Sequence, residues 1–120
     1  MRLLAALIVV AALAGCGGDD GGGGASAAAS SDKCASDAVV IKMANIKFDP
    51  AKATAKPGQA VCWENEDTVD HDAVANSGAS FKSDLFHKGQ TFTTTVDKPG
   101  TVKYECTIHP GMTGEIEVAG

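Results

Sequence analysis

From Val39 to Val118 the sequence runs in short apolar–polar alternations, each ended within a few residues by a turn signal. Val39 to Met43 opens the series. Ala53 to Lys56 leads into Pro57-Gly58, and Gln59 to Asn65 follows with Val61 and Trp63 on one face. Thr91 to Val96 puts Phe92, Thr94 and Val96 together. After Lys98-Pro99-Gly100, the run Thr101 to Cys106 aligns Val102, Tyr104 and Cys106, and Gly114 to Val118 sets Ile116 and Val118 against Glu115 and Glu117. Successive strand side chains point to opposite faces, so this pattern predicts half-buried strands, and no segment holds a helical period. Many short strands cut by turns predict an all-β antiparallel sandwich or barrel. Periodicity does not give the strand order.

The N-terminus is a different kind of sequence. Arg2 is followed by an unbroken apolar run from Leu3 to Ala14, too short for a bilayer-spanning helix of about 20 residues, which predicts an export signal over residues 1–15. The run closes in Leu13-Ala14-Gly15-Cys16, which resembles the lipobox of bacterial lipoproteins and marks Cys16 for lipidation. Cleavage at a nearby small-residue site with ordinary secretion is the alternative. Both readings place the mature chain outside the cytoplasm, and lipidation would hold it at the outer face of a bacterial membrane. In residues 16–33, Cys16 is followed by only Gly, Ala, Ser and Asp up to Asp32, with no large apolar residue to bury, which predicts a flexible tether with a reach of roughly 25 Å. One domain remains, residues 34–120. It carries eight lysines and no arginine against twelve acids, which excludes the basic face that nucleic-acid binding requires.

Four cysteines in an oxidising compartment need assignments. Cys16 goes to lipid, and Cys106 faces inward close to a histidine. Cys34, ahead of the first strand, and Cys62, on the face opposite Val61 and Trp63, remain. A Cys34–Cys62 disulfide would pin the N-terminal arm to the sheet and add about 3–4 kcal/mol in the chain-entropy model. Two unpaired thiols are the alternative.

The stretch Cys106-Thr107-Ile108-His109-Pro110-Gly111-Met112 offers a thiolate, an imidazole and a thioether on one loop between strands, and His71 supplies a second imidazole upstream. Taken singly, His71 reads as a core or surface residue, Met112 as packing and Cys106 as a disulfide partner. Taken together, two imidazoles and a thiolate with a weak axial Met are the donor set of a blue-copper electron-transfer site. Soft sulfur suits Cu(I) and imidazole tolerates Cu(II), which favours copper over zinc.

The domain resembles the cupredoxins, and most closely their plastocyanin and amicyanin branch. The likeness runs through Ile46-Lys47-Phe48-Asp49-Pro50, Lys56 to Asn65, Phe81-Lys82-Ser83, Gly89-Gln90-Thr91-Phe92 and Lys98 to Cys106. The Cys106–His109–Met112 spacing is the short, amicyanin-like form. The resemblance implies a Greek-key two-sheet sandwich with one type 1 copper near one end, ligated by His71, Cys106, His109 and Met112. It also implies that the edge of His109, amid Ile108, Pro110 and Gly111, is the electron exit. The family commonly has Asn after the first histidine; here Asp72 stands there. Either its charge favours Cu(II) and lowers the reduction potential, or it points to solvent and does little.

Glu64, Glu66, Asp67, Asp70 and Asp72 put five acids into nine residues. Such a run is either a solvated loop or a surface that steers a basic redox partner; in the second reading Glu66, Asp67 and Asp70 face that partner. His87 reads as a surface residue. With three histidines in the chain there is no second copper centre for oxygen or nitrite reduction, so the reading is an electron carrier and not an enzyme. It would be a monomer that meets a redox donor and an acceptor at a membrane surface. Copper storage or delivery, and a metal-free structural lipoprotein, are its rivals.

Overall fold

The computed structural model describes residues 29–120. The export signal, Cys16 and the tether up to residue 28 lie outside the described residues. Eight strands follow in order: β1 (Val39–Ala44), β2 (Lys47–Asp49), β3 (Lys52–Ala55), β4 (Gln59–Asn65), β5 (Val74–Ser77), β6 (Thr91–Val96), β7 (Gly100–Glu105) and β8 (Thr113–Val118). They form two four-stranded sheets, ordered β2-β1-β4-β6 and β3-β8-β7-β5.

The expectation of antiparallel pairing needs correction, because each sheet contains one parallel pair. β1 runs parallel to β4 and β3 parallel to β8, while the other four pairings are antiparallel. The cause is a change of sheet. After the β1–β2 hairpin the chain crosses at Pro50-Ala51 to the second sheet as β3. The Lys56-Pro57-Gly58 turn then reverses it, so β4 re-enters the first sheet pointing the same way as β1. Parallel neighbours need such a long connection; a hairpin cannot join them.

The alternation seen in the sequence becomes the core. Ile41, Met43, Val61, Trp63, Phe92 and Val96 of one sheet face Ala53, Ala55, Val102, Tyr104, Ile116 and Val118 of the other, and all are buried. Trp63 is the centre, with ring centroids 5.1 Å from Phe81, 5.6 Å from Phe92 and 5.3 Å from Tyr104. Trp63 Nε1 and Tyr104 Oη have no hydrogen-bond partner among the described residues, so ring packing holds this cluster. Burial also pushes the Tyr104 phenol far up, so it stays neutral.

Cys34 and Cys62 are joined in a disulfide that fastens the arm before β1 to the outer face of β4. The arm continues upstream: Ser30 exchanges backbone hydrogen bonds of 2.8 and 2.7 Å with Thr91 at the start of β6, and Thr91 Oγ1 donates to the Asp32 carbonyl. The last residues of the tether segment are thus attached to the edge of the sheet.

One turn is unusual. Asn45 and Ile46, between β1 and β2, both have positive φ, 54° and 56°. A two-residue hairpin turn of this hand suits the strand twist, and Asn accepts it. A β-branched isoleucine does not, at a strain of about 1–3 kcal/mol, and the surroundings must hold it there.

Candidate metal centre

β4 and β7 end, and β6 and β8 begin, at the same end of the sandwich. The loops after β4 and β7 meet there. Within the second loop, Cys106 N donates to the Met112 carbonyl at 3.0 Å, and Met112 N donates to the His109 carbonyl at 3.0 Å. Gly111, with φ 89°, takes the left-handed conformation that lets the chain turn back on itself. The loop is therefore a tight closed turn that returns buried Met112 beside Cys106.

The loop after β4 is organised by Asn65, fully buried at the end of the strand. Its amide donates to the carbonyls of Val69 and Phe86 at 2.9 and 3.0 Å, and its carbonyl oxygen accepts from Asp67 N at 2.8 Å. His71 then pairs its backbone with Phe86, which fixes the direction of its side chain.

Together these placements bring His71, Cys106 and His109 to one point, with one donor atom from each within 4.8 Å of the others. The two Nδ1 atoms are 3.1 Å apart, and Cys106 Sγ lies 3.7 Å from His71 Nδ1 and 3.5 Å from His109 Nδ1. A first-row metal bound trigonally at about 2.0 Å to nitrogen and about 2.3 Å to sulfur separates the nitrogens by about 3.5 Å and nitrogen from sulfur by about 3.7 Å. The observed triangle has that form, slightly contracted, so the donor set fits such an ion. His71 and Cys106 are buried, whereas His109 is half-buried and reaches toward the surface.

Charges around the triangle tune it. Burial pushes the Cys106 thiol above its ordinary range, against hydrogen bonds at the Asp72 and Ile108 backbone that act the other way, and the Asp72 charge adds to the rise. A metal cation bound at the triangle would favour the thiolate there. Asp72 is buried and does not point to solvent. Its carboxylate accepts from Thr107 N at 2.7 Å and from the Thr107 hydroxyl, tying the His71 segment to the Cys106 loop.

The acidic run is placed differently from a uniformly solvated or partner-facing loop. Glu66 pairs with Lys42 at 3.3 Å and Asp70 with the exposed His87. Asp67 turns inward: its Oδ2 lies 2.8 Å from His71 Nε2, and its two oxygens accept from Asn45 N at 2.7 Å and Ile46 N at 2.9 Å. Burial raises its pKa, but these hydrogen bonds prevail and hold it below the ordinary carboxylate range. Sequence reasoning grouped Asp67 with the outward acids and passed over Asn65. The only signal for Asp67 was its place four residues before His71.

A two-sheet β-sandwich with a His–Cys–His triangle and a buried methionine at one end defines the cupredoxin class of copper proteins. The chain belongs to the plastocyanin/azurin family of copper-binding proteins, whose family model matches residues 35–119. It is 33% identical over 82 residues to amicyanin-alpha of Methylorubrum extorquens, covering 65% of this chain and 69% of that protein. It is 31% identical over 88 residues to amicyanin of Paracoccus denitrificans, covering 70% and 67%. A reduced single-site mutant of amicyanin superposes with TM-score 0.68 at 28% identity, over 74% of this chain and 89% of that one. The Cu(I) form of another amicyanin mutant gives the same score at 29% identity and the same coverage.

Proposed function

We propose that this chain is an exported single-electron carrier in which His71, Cys106 and His109 would hold one copper, with the Met112 thioether as a further, weaker donor. The observation that carries this is the convergence of two imidazole nitrogens and one thiolate sulfur, with a methionine returned beside them on a closed loop. Copper held there supplies a one-electron couple between Cu(I) and Cu(II). The protein's part is to keep one ligand geometry for both states and to exclude water. Buried strand ends and hydrogen-bonded loops, not mobile segments, carry the ligands. A cupredoxin of this kind is a carrier and not an enzyme.

The electron exit in this reading is the half-buried His109. Around it Ile108 is 45% exposed, and Pro110 and Gly111 are exposed beside it. The other large exposed apolar residues among the described ones sit on the turn and loops of the same end. They are Ile46, held by Asp67, Val69, two residues before His71, and Leu85, next to Phe86. Apolar residues gathered around a ligand edge support brief docking of a redox protein. The mature chain in this reading is lipidated at Cys16 and stands at the outer face of a bacterial membrane, as a monomer.

The test is the visible and spin-resonance spectrum of the full chain loaded with Cu(II). An intense thiolate-to-copper band with narrow copper hyperfine splitting is the expected result, abolished by Cys106→Ser. A pale, ordinary Cu(II) spectrum would overturn the carrier reading and favour copper delivery.

A further inference from the structure

Asp67 touches two things at once, on a segment that the Glu66 N to Met43 carbonyl hydrogen bond already lays beside the end of β1. One is the remote nitrogen of His71: Nε2 lies 2.8 Å from Asp67 Oδ2, and the imidazole is fully buried. The other is the β1–β2 turn, where Asn45 N and Ile46 N each donate to one carboxylate oxygen. Oδ2 is shared between Ile46 N and His71 Nε2, so neither partner can shift without disturbing the other.

We propose that Asp67 is a positioning residue that links the metal ligand to the apolar tip of the turn. On the ligand side, a carboxylate only accepts, so His71 carries its proton on Nε2 and presents a bare Nδ1 to Cys106 and His109. The ring is fixed in both tautomer and orientation before any metal arrives. On the turn side, the same carboxylate holds two successive left-handed residues, one of them a β-branched isoleucine that does not choose this conformation by itself. The result is that Ile46, 47% exposed, is held rigidly at the metal end of the molecule. A partner that presses on Ile46 therefore acts on the carboxylate that orients His71.

The ligand half of this proposal rests on the metal reading of the site, but its first tests need no metal. In the metal-free full chain, nitrogen NMR of the His71 ring is expected to show the Nε2–H tautomer alone. Asp67→Asn, which keeps size and one acceptor oxygen, is expected to admit the second tautomer and, in a chelator competition, to weaken Cu(II) affinity 10–100-fold. The turn half is read by a thermal-melting cycle on the same metal-free protein. Asp67→Ala is expected to lower Tm clearly in the parent chain and by at most half as much in an Ile46→Gly background, where the turn no longer needs holding. A single unchanged tautomer in Asp67→Asn overturns the ligand role. Equal Tm losses in the two backgrounds overturn the turn role, and either result alone breaks the link. Failure of the copper reading would appear instead as absent Cu(II) binding by the parent chain.

Discussion

Asp72 shows how one atom can alter a site without touching the metal. An asparagine at that position both donates and accepts; the carboxylate here only accepts, and it takes both Thr107 donors. The clasp between the two ligand-bearing loops is therefore kept, with a buried negative charge added next to Cys106. That charge favours the more positive copper state. Asp72→Asn is expected to raise the reduction potential by tens of millivolts, since about 1 kcal/mol between the two states is about 40 mV for one electron. Voltammetry of the copper-loaded full chain measures it. A potential that stays put would mean that the Thr107 hydrogen bonds already neutralise the carboxylate's influence.

At the scale of strands and loops, the disulfide is the element that ties the arm to the sandwich. Cys34 and Cys62 are 28 residues apart, and a loop of that length is worth about 3–4 kcal/mol through the unfolded state. Cys34→Ser combined with Cys62→Ala is expected to lower the Tm of the metal-free protein by roughly 15–25 °C, the scale for a domain of this size. The spectrum of the copper-loaded form should be unmoved, because the bond lies on the outer face of β4, away from the triangle. Differential scanning calorimetry and the visible spectrum of the same samples check both halves.

The elements also show what could be read in advance. Alternation names which residues face inward, and the inward sets of β4, β6, β7 and β8 are the core that forms. It has no direction, so the parallel β1–β4 and β3–β8 pairs, which depend on where the chain changes sheet, were beyond it. The thiolate, imidazole and thioether of the second loop are legible because seven residues hold them and one tight turn brings them together. Asp67 is illegible for the opposite reason. Its segment has no regular period, and its contact with His71 exists only because the Asn65 amide folds the loop back across Val69 and Phe86. Lys42, which pairs with Glu66, and His87, which hydrogen-bonds Asp70, come from distant elements, so two acids of the run have partners that the run itself does not contain.

For the whole molecule, the distribution of polarity is the argument. The large apolar side chains left in solvent among the described residues gather on the loops of one end, and that end carries the half-buried His109. If the electron exit lies there, as proposed above, two copies would meet at this end to exchange an electron between the oxidised and the reduced form. Ile108→Glu is expected to slow this self-exchange at least tenfold at low salt by facing like charges across the contact, while leaving the potential nearly unchanged. Line broadening in NMR spectra of mixed oxidised and reduced protein gives the rate. An unaltered rate would place the exit elsewhere on the surface.

The arm ahead of β1 sets how the molecule carries load. A pull on the chain upstream of Ala29 first meets the Ser30–Thr91 pairing, where two hydrogen bonds can be peeled one after the other. The tension then reaches Cys34 and passes through a covalent bond into Cys62, in the middle of an interior strand. The crosslink takes β1, β2 and β3 out of the path of such a pull, which enters the sandwich at β4 without first drawing out the strands that precede it.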